Sequence, residues 1–360
     1  MKTSRFLRLF VGASAVVVTA IAVAPFLRGE PAGRPDEGAG INDAAFGERV
    51  FFQETFRGNG RTCGTCHQRE TEFALTPEFV QATHDRDPGN PLFRPIDSDD
   101  GLGRDYTSLL QHALINVEIP LAANVTLVND QGRRSIIVKR AVPSIVNVAL
   151  TAPYQLDGRM PTLRAQARSA IKSHFQPRRE PNPREILALV RFQSDVFEPQ
   201  RLKQVLEAPE GSQPAPGFSM PVSSPAALQG RAVFQRACAR CHGGETGSLV
   251  NAGTPPAIDV SVSEANRLGL PVYRLSFRNP DGTVRIVDTP DPGRAAVTGD
   301  LNDLNAFDVP ALRGIKHTAP YFHDNSAATL RDVIDHYNEF VGTNIDFRDR
   351  DALVAFLETL

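Results

Sequence analysis

The chain has no tryptophan, only four cysteines and only three methionines in 360 residues. Neither sign of charge dominates, with Lys+Arg 39 against Asp+Glu 41 and a formal net charge of −2. That balance excludes a basic protein that binds nucleic acid by neutralising phosphates. A hydrophobic content of 41% is ordinary for a globular chain, which excludes both wholesale disorder and a multi-span membrane protein. The length allows two domains of common size.

The one long uncharged apolar run, Leu9 to Leu27, follows Lys2, Arg5 and Arg8. A positive start before such a run is an export signal rather than part of a fold, with Ala20-Ile21-Ala22 as a small-x-small cleavage site. Left uncleaved, residues 1–27 would be a membrane anchor. In either case the body of the protein is expected in the periplasm. Residues 28–41, rich in Gly, Pro and charge, read as a flexible leader.

An even number of cysteines in an exported chain ordinarily reads as disulfides. The spacing decides otherwise. The four fall as Cys63-Gly64-Thr65-Cys66-His67 and Cys238-Ala239-Arg240-Cys241-His242. Two cysteines three apart with His next are the pattern of covalent c-type haem attachment. Both thiols add to vinyl groups on one porphyrin edge, and the adjacent imidazole becomes the proximal ligand of the iron. Two covalently bound haems c, on His67 and His242, are therefore expected. A zinc site from two Cys pairs needs no His after each pair.

The chain also repeats itself. Val142-Pro143, Thr151-Ala152-Pro153-Tyr154, Asp157 and Thr162-Leu163-Arg164 recur as Val309-Pro310, Thr318-Ala319-Pro320-Tyr321, Asp324 and Thr329-Leu330-Arg331, always 167 residues on. The implied fold is mainly α: two c-type cytochrome lobes related by this repeat and rich in loops. Residues 42–208 form the N-terminal lobe, 209–224 a proline-rich linker and 225–360 the C-terminal lobe. Apolar residues at helical spacing in Glu185–Phe192 and Asp351–Leu360 predict a closing helix for each lobe.

The repeat reaches the sixth coordination position. Tyr binds haem iron through its phenolate, and Tyr337 lies downstream of the second copy of the repeat. Its counterpart in the first is Ala170, whose methyl binds nothing. If the lobes superpose, the second iron is closed by Tyr337 and the first stays open to peroxide or dioxygen. Core packing is the other role open to Tyr337.

The haem motifs, Asp157-Gly158-Arg159 and Pro310-Ala311-Leu312-Arg313 with Ala319-Pro320-Tyr321-Phe322-His323-Asp324 resemble the bacterial diheme cytochrome c peroxidase and MauG superfamily, over residues 42–360. The resemblance implies a first haem that meets hydrogen peroxide. It implies a second haem that takes electrons from a small redox protein, a cytochrome c or a cupredoxin. Tyr337 matches a position held by Met in the better-known peroxidases and by Tyr in MauG-type proteins, with His336 as the alternative ligand. Gln166 matches the distal Gln. Gln176 matches the distal Glu, and a neutral amide cannot carry the proton that peroxide cleavage moves. Leu156 stands where the family has an inter-haem Trp, leaving Tyr154 or Tyr321 to carry electrons between haems. Ala141 stands for the Asn side chain of a bridging calcium site, to which Thr318 and Pro320 would give backbone oxygens.

Gln166, Ala170 and His174 lie on one helical face. His174 is thus a proton carrier or sixth ligand for the first haem, or a surface His beside Lys172. Arg313 suits a haem propionate or a surface ion pair, as does Arg159. His323 reads as a residue near the inter-haem face or a structural hydrogen-bonder. The segment Thr83-His84-Asp85-Arg86-Asp87 reads as a solvated loop, and Asp97-Ser98-Asp99-Asp100 as a solvated turn. Two alternatives to a peroxidase remain: a diheme electron-transfer cytochrome whose first haem is closed by His174 or His84, and a MauG-like oxidase acting on a partner protein.

Overall fold

A computed structural model describes residues 42–196, 222, 224–243, 247–248 and 257–360. The expected export segment and leader (1–41) lie outside the described residues, as does the linker apart from residues 222 and 224. Eight longer helices carry the architecture: α1 (Asn42–Gln53), α2 (Pro77–Arg86), α3 (Thr107–His112), α4 (Leu163–His174), α5 (Pro183–Ser194), α6 (Pro225–Ala237), α7 (Leu330–His336) and α8 (Phe347–Leu357). Six of them open on a short polar side chain that accepts from the amide three residues on. These caps are Thr76, Thr162, Asn182, Ser224, Thr329 and Asp346. Each satisfies an amide that the helix start leaves free.

The helix preceding each haem motif packs on the helix predicted to close that lobe, α1 on α5 and α6 on α8. A glycine allows each crossing. A Cβ on Gly47 would run into the Ala188 carbonyl, and one on Gly230 into the Ala352 carbonyl. Around the first pair, Val50, Phe51, Phe73, Ile171, Leu189 and Phe192 form a core; around the second, Val233, Phe234, Leu330, Ile334, Leu353 and Phe356 form another. Local conformations also recur at the spacing seen in the sequence. Asn147 and Gly314, Gln155 and Phe322, and Gly158 and Asn325 all have positive φ. The bridge Tyr154–Met160 has its counterpart in Tyr321–Ala327.

Helices alone do not describe the fold. Strands β1 (Ile115–Pro120) and β3 (Ser135–Arg140) pair antiparallel, and β4 (Ala257–Ile258) pairs with β7 (Phe307–Asp308). A three-stranded sheet runs β2 (Val125–Leu127), β5 (Tyr273–Arg278), β6 (Val284–Thr289). Its register sets Val125 opposite Phe277 and Leu127 opposite Leu275. One sheet therefore contains strands from both sides of the linker. Ile119, Val125 and Ile136 pack with Leu275, Phe277 and Ala295 in a third core to which both halves contribute. The sequence had assigned these excursions to loops. They are short strands, and their partners lie too far along the chain for local pattern to reveal.

Ionic contacts tie the same junction. Arg140, at the end of β3 and 2% exposed, donates Nη1 to Asp157 at 2.7 Å and Nε and Nη2 to Asp291 at 2.7 and 2.9 Å. Arg294 Nη1 donates to the carbonyls of Asp157 and Gly158 at 3.1 and 3.2 Å. The amide of Asp308 donates to Leu156 O at 2.7 Å.

Two local expectations fail. The segment around His84 is the end of α2, started by the Thr76 cap and Pro77, with His84 edge-on to Phe93. The acidic run is only partly solvated, because Asp97 is buried and paired with the buried Arg61 while Lys139 reaches Asp99.

Candidate functional site

The second Cys-x-x-Cys-His segment follows α6 directly, and a loop joins α1 to the first. Cys63 begins a short 3-10 turn (Cys63–Thr65), held by Thr62 N donating to Thr65 Oγ1 at 2.9 Å. His67 N then returns to Cys63 O at 3.0 Å, as His242 N does to Cys238 O at 2.9 Å. Side chains one turn apart on such a backbone face the same way.

The imidazoles are oriented by backbone. His67 Nδ1 donates to Phe73 O at 2.7 Å, and His242 Nδ1 to Gly247 O at 3.0 Å. With its proton on Nδ1, each ring leaves the Nε2 lone pair for a metal. Burial lowers the pKa of both imidazoles, more than these carbonyls raise it, so both rings stay in the neutral form that ligates. Gly247 is required where it stands: its φ is +77°, and a Cβ would meet the Leu312 backbone.

Burial pushes the Cys63 thiol up to about 12, helped by Cys66 beside it. It pushes Cys66 up to about 11 and Cys238 up to about 12. Burial keeps these three thiols neutral. Neutral thiols beside a neutral, pre-oriented imidazole fit a haem c at both motifs. Among the described residues, no group of three or more His, Cys, Asp or Glu gathers to hold a separate metal ion. At Ala141, the position matched to a calcium ligand, the amide donates to His323 O at 2.8 Å.

The residues expected on the distal faces separate. Tyr337 follows α7 and opens a π turn, Tyr337–Val341. Its phenol pKa is raised by burial first and then by Cys238 and Cys241, so the ring lies close to the second motif. The Nδ1 of His336, the alternative ligand, is buried without a hydrogen-bond partner among the described residues. Its Nε2 donates to Val260 O at 2.7 Å, and its ring stacks on Phe340 at 4.8 Å.

On α4 the half-buried Gln166 and Ala170 share a face with His174, while Leu163, Ala167 and Ile171 face the core. His174 is partly exposed. Burial drives its imidazole down to about 4; Asp97 opposes this, and Arg61, Arg159 and His67 add to it. Its Nδ1 is buried without a hydrogen-bond partner among the described residues. Gln176 is exposed at φ +49°, and its Oε1 accepts from Asn59 Nδ2 at 3.3 Å.

Arg313 is buried, which removes its reading as a surface ion pair. Arg159 is also largely buried and bound to Asp157. His323 stacks flat on Phe307, with centroids 3.6 Å apart and planes 9° from parallel. Of the two tyrosines considered for transfer between haems, Tyr321 donates its hydroxyl to Ile315 O at 3.0 Å, whereas burial pushes Tyr154 up to about 12. Sequence reasoning missed the two orienting carbonyls, Phe73 and Gly247, because a backbone oxygen leaves no residue-type signal. It also missed the buried Arg61–Asp97 pair, whose charges act on Cys66.

Residues 42–209, which hold the first motif and α4, match the model of the family described as di-haem cytochrome c peroxidase. This segment belongs to that family. Cytochrome-c peroxidase IdrP2 of Denitromonas iodatirespirans is 34% identical over 134 residues, 34% of this chain and 35% of that protein. Cytochrome c551 peroxidase of Nitrosomonas europaea is 41% identical over 83 residues, 22% of this chain and 25% of that protein. The chain thus spans about a third or less of these curated peroxidases. A MauG-like protein associated with microbial copper homeostasis has a crystal structure that aligns with a TM-score of 0.53. The alignment covers 92% of this chain and 91% of that one at 20% identity. The MauG-like protein thus shares this fold, mostly helical with a minor sheet component.

Proposed function

We propose that the protein is an exported, periplasmic oxidoreductase with two covalently attached haems c, the first activating hydrogen peroxide and the second relaying electrons. Residues 1–27 are the signal or anchor and 28–41 a leader. Residues 42–208 and 225–360 are two repeat-related haem lobes joined by the linker at 209–224. A single inequality carries the proposal: a phenol lies beside the second motif, while the matching position on α4 is the methyl of Ala170.

When bound, haem supplies a redox-active iron that can take a peroxide oxygen or pass an electron. The chain does the rest. Cys63, Cys66, Cys238 and Cys241 fix the two porphyrins, while His67 and His242 present Nε2 as proximal ligands. With haem bound, the amide of Gln166 would hydrogen-bond peroxide at the first site, and the phenol of Tyr337 would serve as a ligand at the second, which would confine that site to electron transfer. The buried guanidinium of Arg313 pairs with a propionate. A small cytochrome c or cupredoxin is the donor.

Ferric spin states test this directly. The protein should carry two haems, one high-spin and one low-spin by electron paramagnetic resonance, and Tyr337→Phe should abolish the low-spin signal. Two low-spin haems would make it an electron carrier instead. Peroxide-dependent change in a partner protein, without turnover of a small donor, would make it a MauG-like oxidase, the reading that a Tyr at position 337 favours.

A further inference from the structure

In the first lobe, the carboxylate expected after the distal Gln is replaced by Gln176, and the structure carries that side chain away from the motif. Its backbone enters the left-handed region, and its amide oxygen is held by Asn59 on an exposed edge. Two residues earlier the opposite holds. The partly exposed His174 ends α4 on the Gln166–Ala170 face, with its Nδ1 buried and unpartnered among the described residues. A buried ring nitrogen left without a partner is costly unless something absent from the protein chain completes it. The charged groups that act on the ring are Asp97, Arg61, Arg159 and His67. His67 is the proximal residue of the first motif, so His174 belongs to that haem's surroundings.

We infer that His174, and not Gln176, moves the proton at the open face of the first haem, with Arg159 supplying the positive charge beside it. This rests on the peroxidase reading of the site. In peroxide cleavage the inner oxygen, bound at the haem, loses its proton, and the outer oxygen gains one. The imidazole takes the first and returns it to the second as the O–O bond breaks. The outer oxygen leaves as water with the bonding pair, its own proton and the transferred one, and two oxidising equivalents stay at the haem. Arg159 is locked by Asp157, which Arg140 holds in turn. Its guanidinium is thereby preorganised to stabilise charge on the departing oxygen.

The test uses the two-haem protein and hydrogen cyanide, which must give up its proton to a base before it binds ferric haem. His174→Ala should slow cyanide association about 100-fold at neutral pH, and His174→Gln should not restore it. Gln176→Ala should change the rate by less than about twofold. Haem content and the second haem's low-spin spectrum should be unchanged in all three variants, which excludes misfolding. An unmoved rate in His174→Ala, or an equal loss in Gln176→Ala, would overturn the inference. So would a first haem that is low-spin in the parent and becomes high-spin in His174→Ala, since the ring would then be a ligand. Absence of any high-spin haem in the parent and every variant would instead refute the peroxidase reading itself.

Discussion

Removing Arg140 should cost more stability than removing any other charged side chain at the junction of the halves. Its guanidinium binds Asp157 from one half and Asp291 from the other, and all three side chains are 2% exposed or less. It also lies over the Phe307 ring, 5.4 Å from the centroid. In Arg140→Ala, Asp157 keeps Arg159, and Asp291 keeps the Gly293 amide at 2.9 Å. The buried cluster of two cations and two anions then carries a net negative charge with no water to screen it. Breaking a buried pair in this way costs about 3–5 kcal/mol. Urea unfolding of the haem-loaded protein, followed by circular dichroism and haem absorbance together, measures the loss. The pH dependence supplies a sign. Burial alone would raise Asp157, but Arg140 and Arg159 outweigh it and hold the carboxyl below its usual range. A depressed carboxyl stabilises above its unfolded pKa and ceases to do so as pH falls through the folded value. The gap between parent and Arg140→Ala should therefore be full at neutral pH and shrink on acidification below about pH 4. A loss under about 1 kcal/mol, or one that grows in acid, would refute the reasoning.

Gly230→Ala drives a methyl into the Ala352 carbonyl where α6 crosses α8, and should cost about 1–3 kcal/mol by chemical denaturation. Asn182→Ala removes the side chain that accepts from Glu185 N at the start of α5, for a loss of about 1 kcal/mol measured the same way. Replacing Cys63 and Cys66 together by Ser should halve the covalent haem measured by pyridine haemochrome absorbance and leave the low-spin signal assigned to Tyr337.

What the sequence could reveal was governed by distance along the chain. The haem motifs, the core helices beside them and the closing helices α5 and α8 depend on contacts within a few turns or on spacing a reader can count. Strand β2 is only three residues long, and its meaning lies in β5, whose facing residue Phe277 is on the far side of the linker from Val125. Arg140 is equally silent: in sequence it is one more basic residue at a strand end, and its partner Asp291 emerges only when β3 meets the segment after β6. A duplicated pattern encourages a picture of two separate lobes. The pairing of β2 with β5 and the shared core beneath it make the halves one folding problem instead.

The same reasoning explains why Ala170 against Tyr337 was legible while the burial of His174 was not. The first is a comparison of residue types at matched positions within α4 and just past α7, each seven residues after the first residue of its helix. The second depends on a loop more than a hundred residues earlier. Asn59 Nδ2 donates to His174 O at 2.9 Å, Asn59 N to Phe175 O at 2.8 Å, and the amides of Arg178 and Arg179 return to Phe56 O at 3.2 and 3.1 Å. That clasp fixes the end of α4 against the loop leading into the first motif. It forces the chain out at Gln176 and leaves the imidazole two residues earlier facing inward. Continued as a helix, His174 and Gln176 would lie about 200° apart, so only one of them could face the haem. The clasp selects one of them, which is why loosening it with Asn59→Ala should change cyanide binding at the first haem before it changes the spectrum of the second.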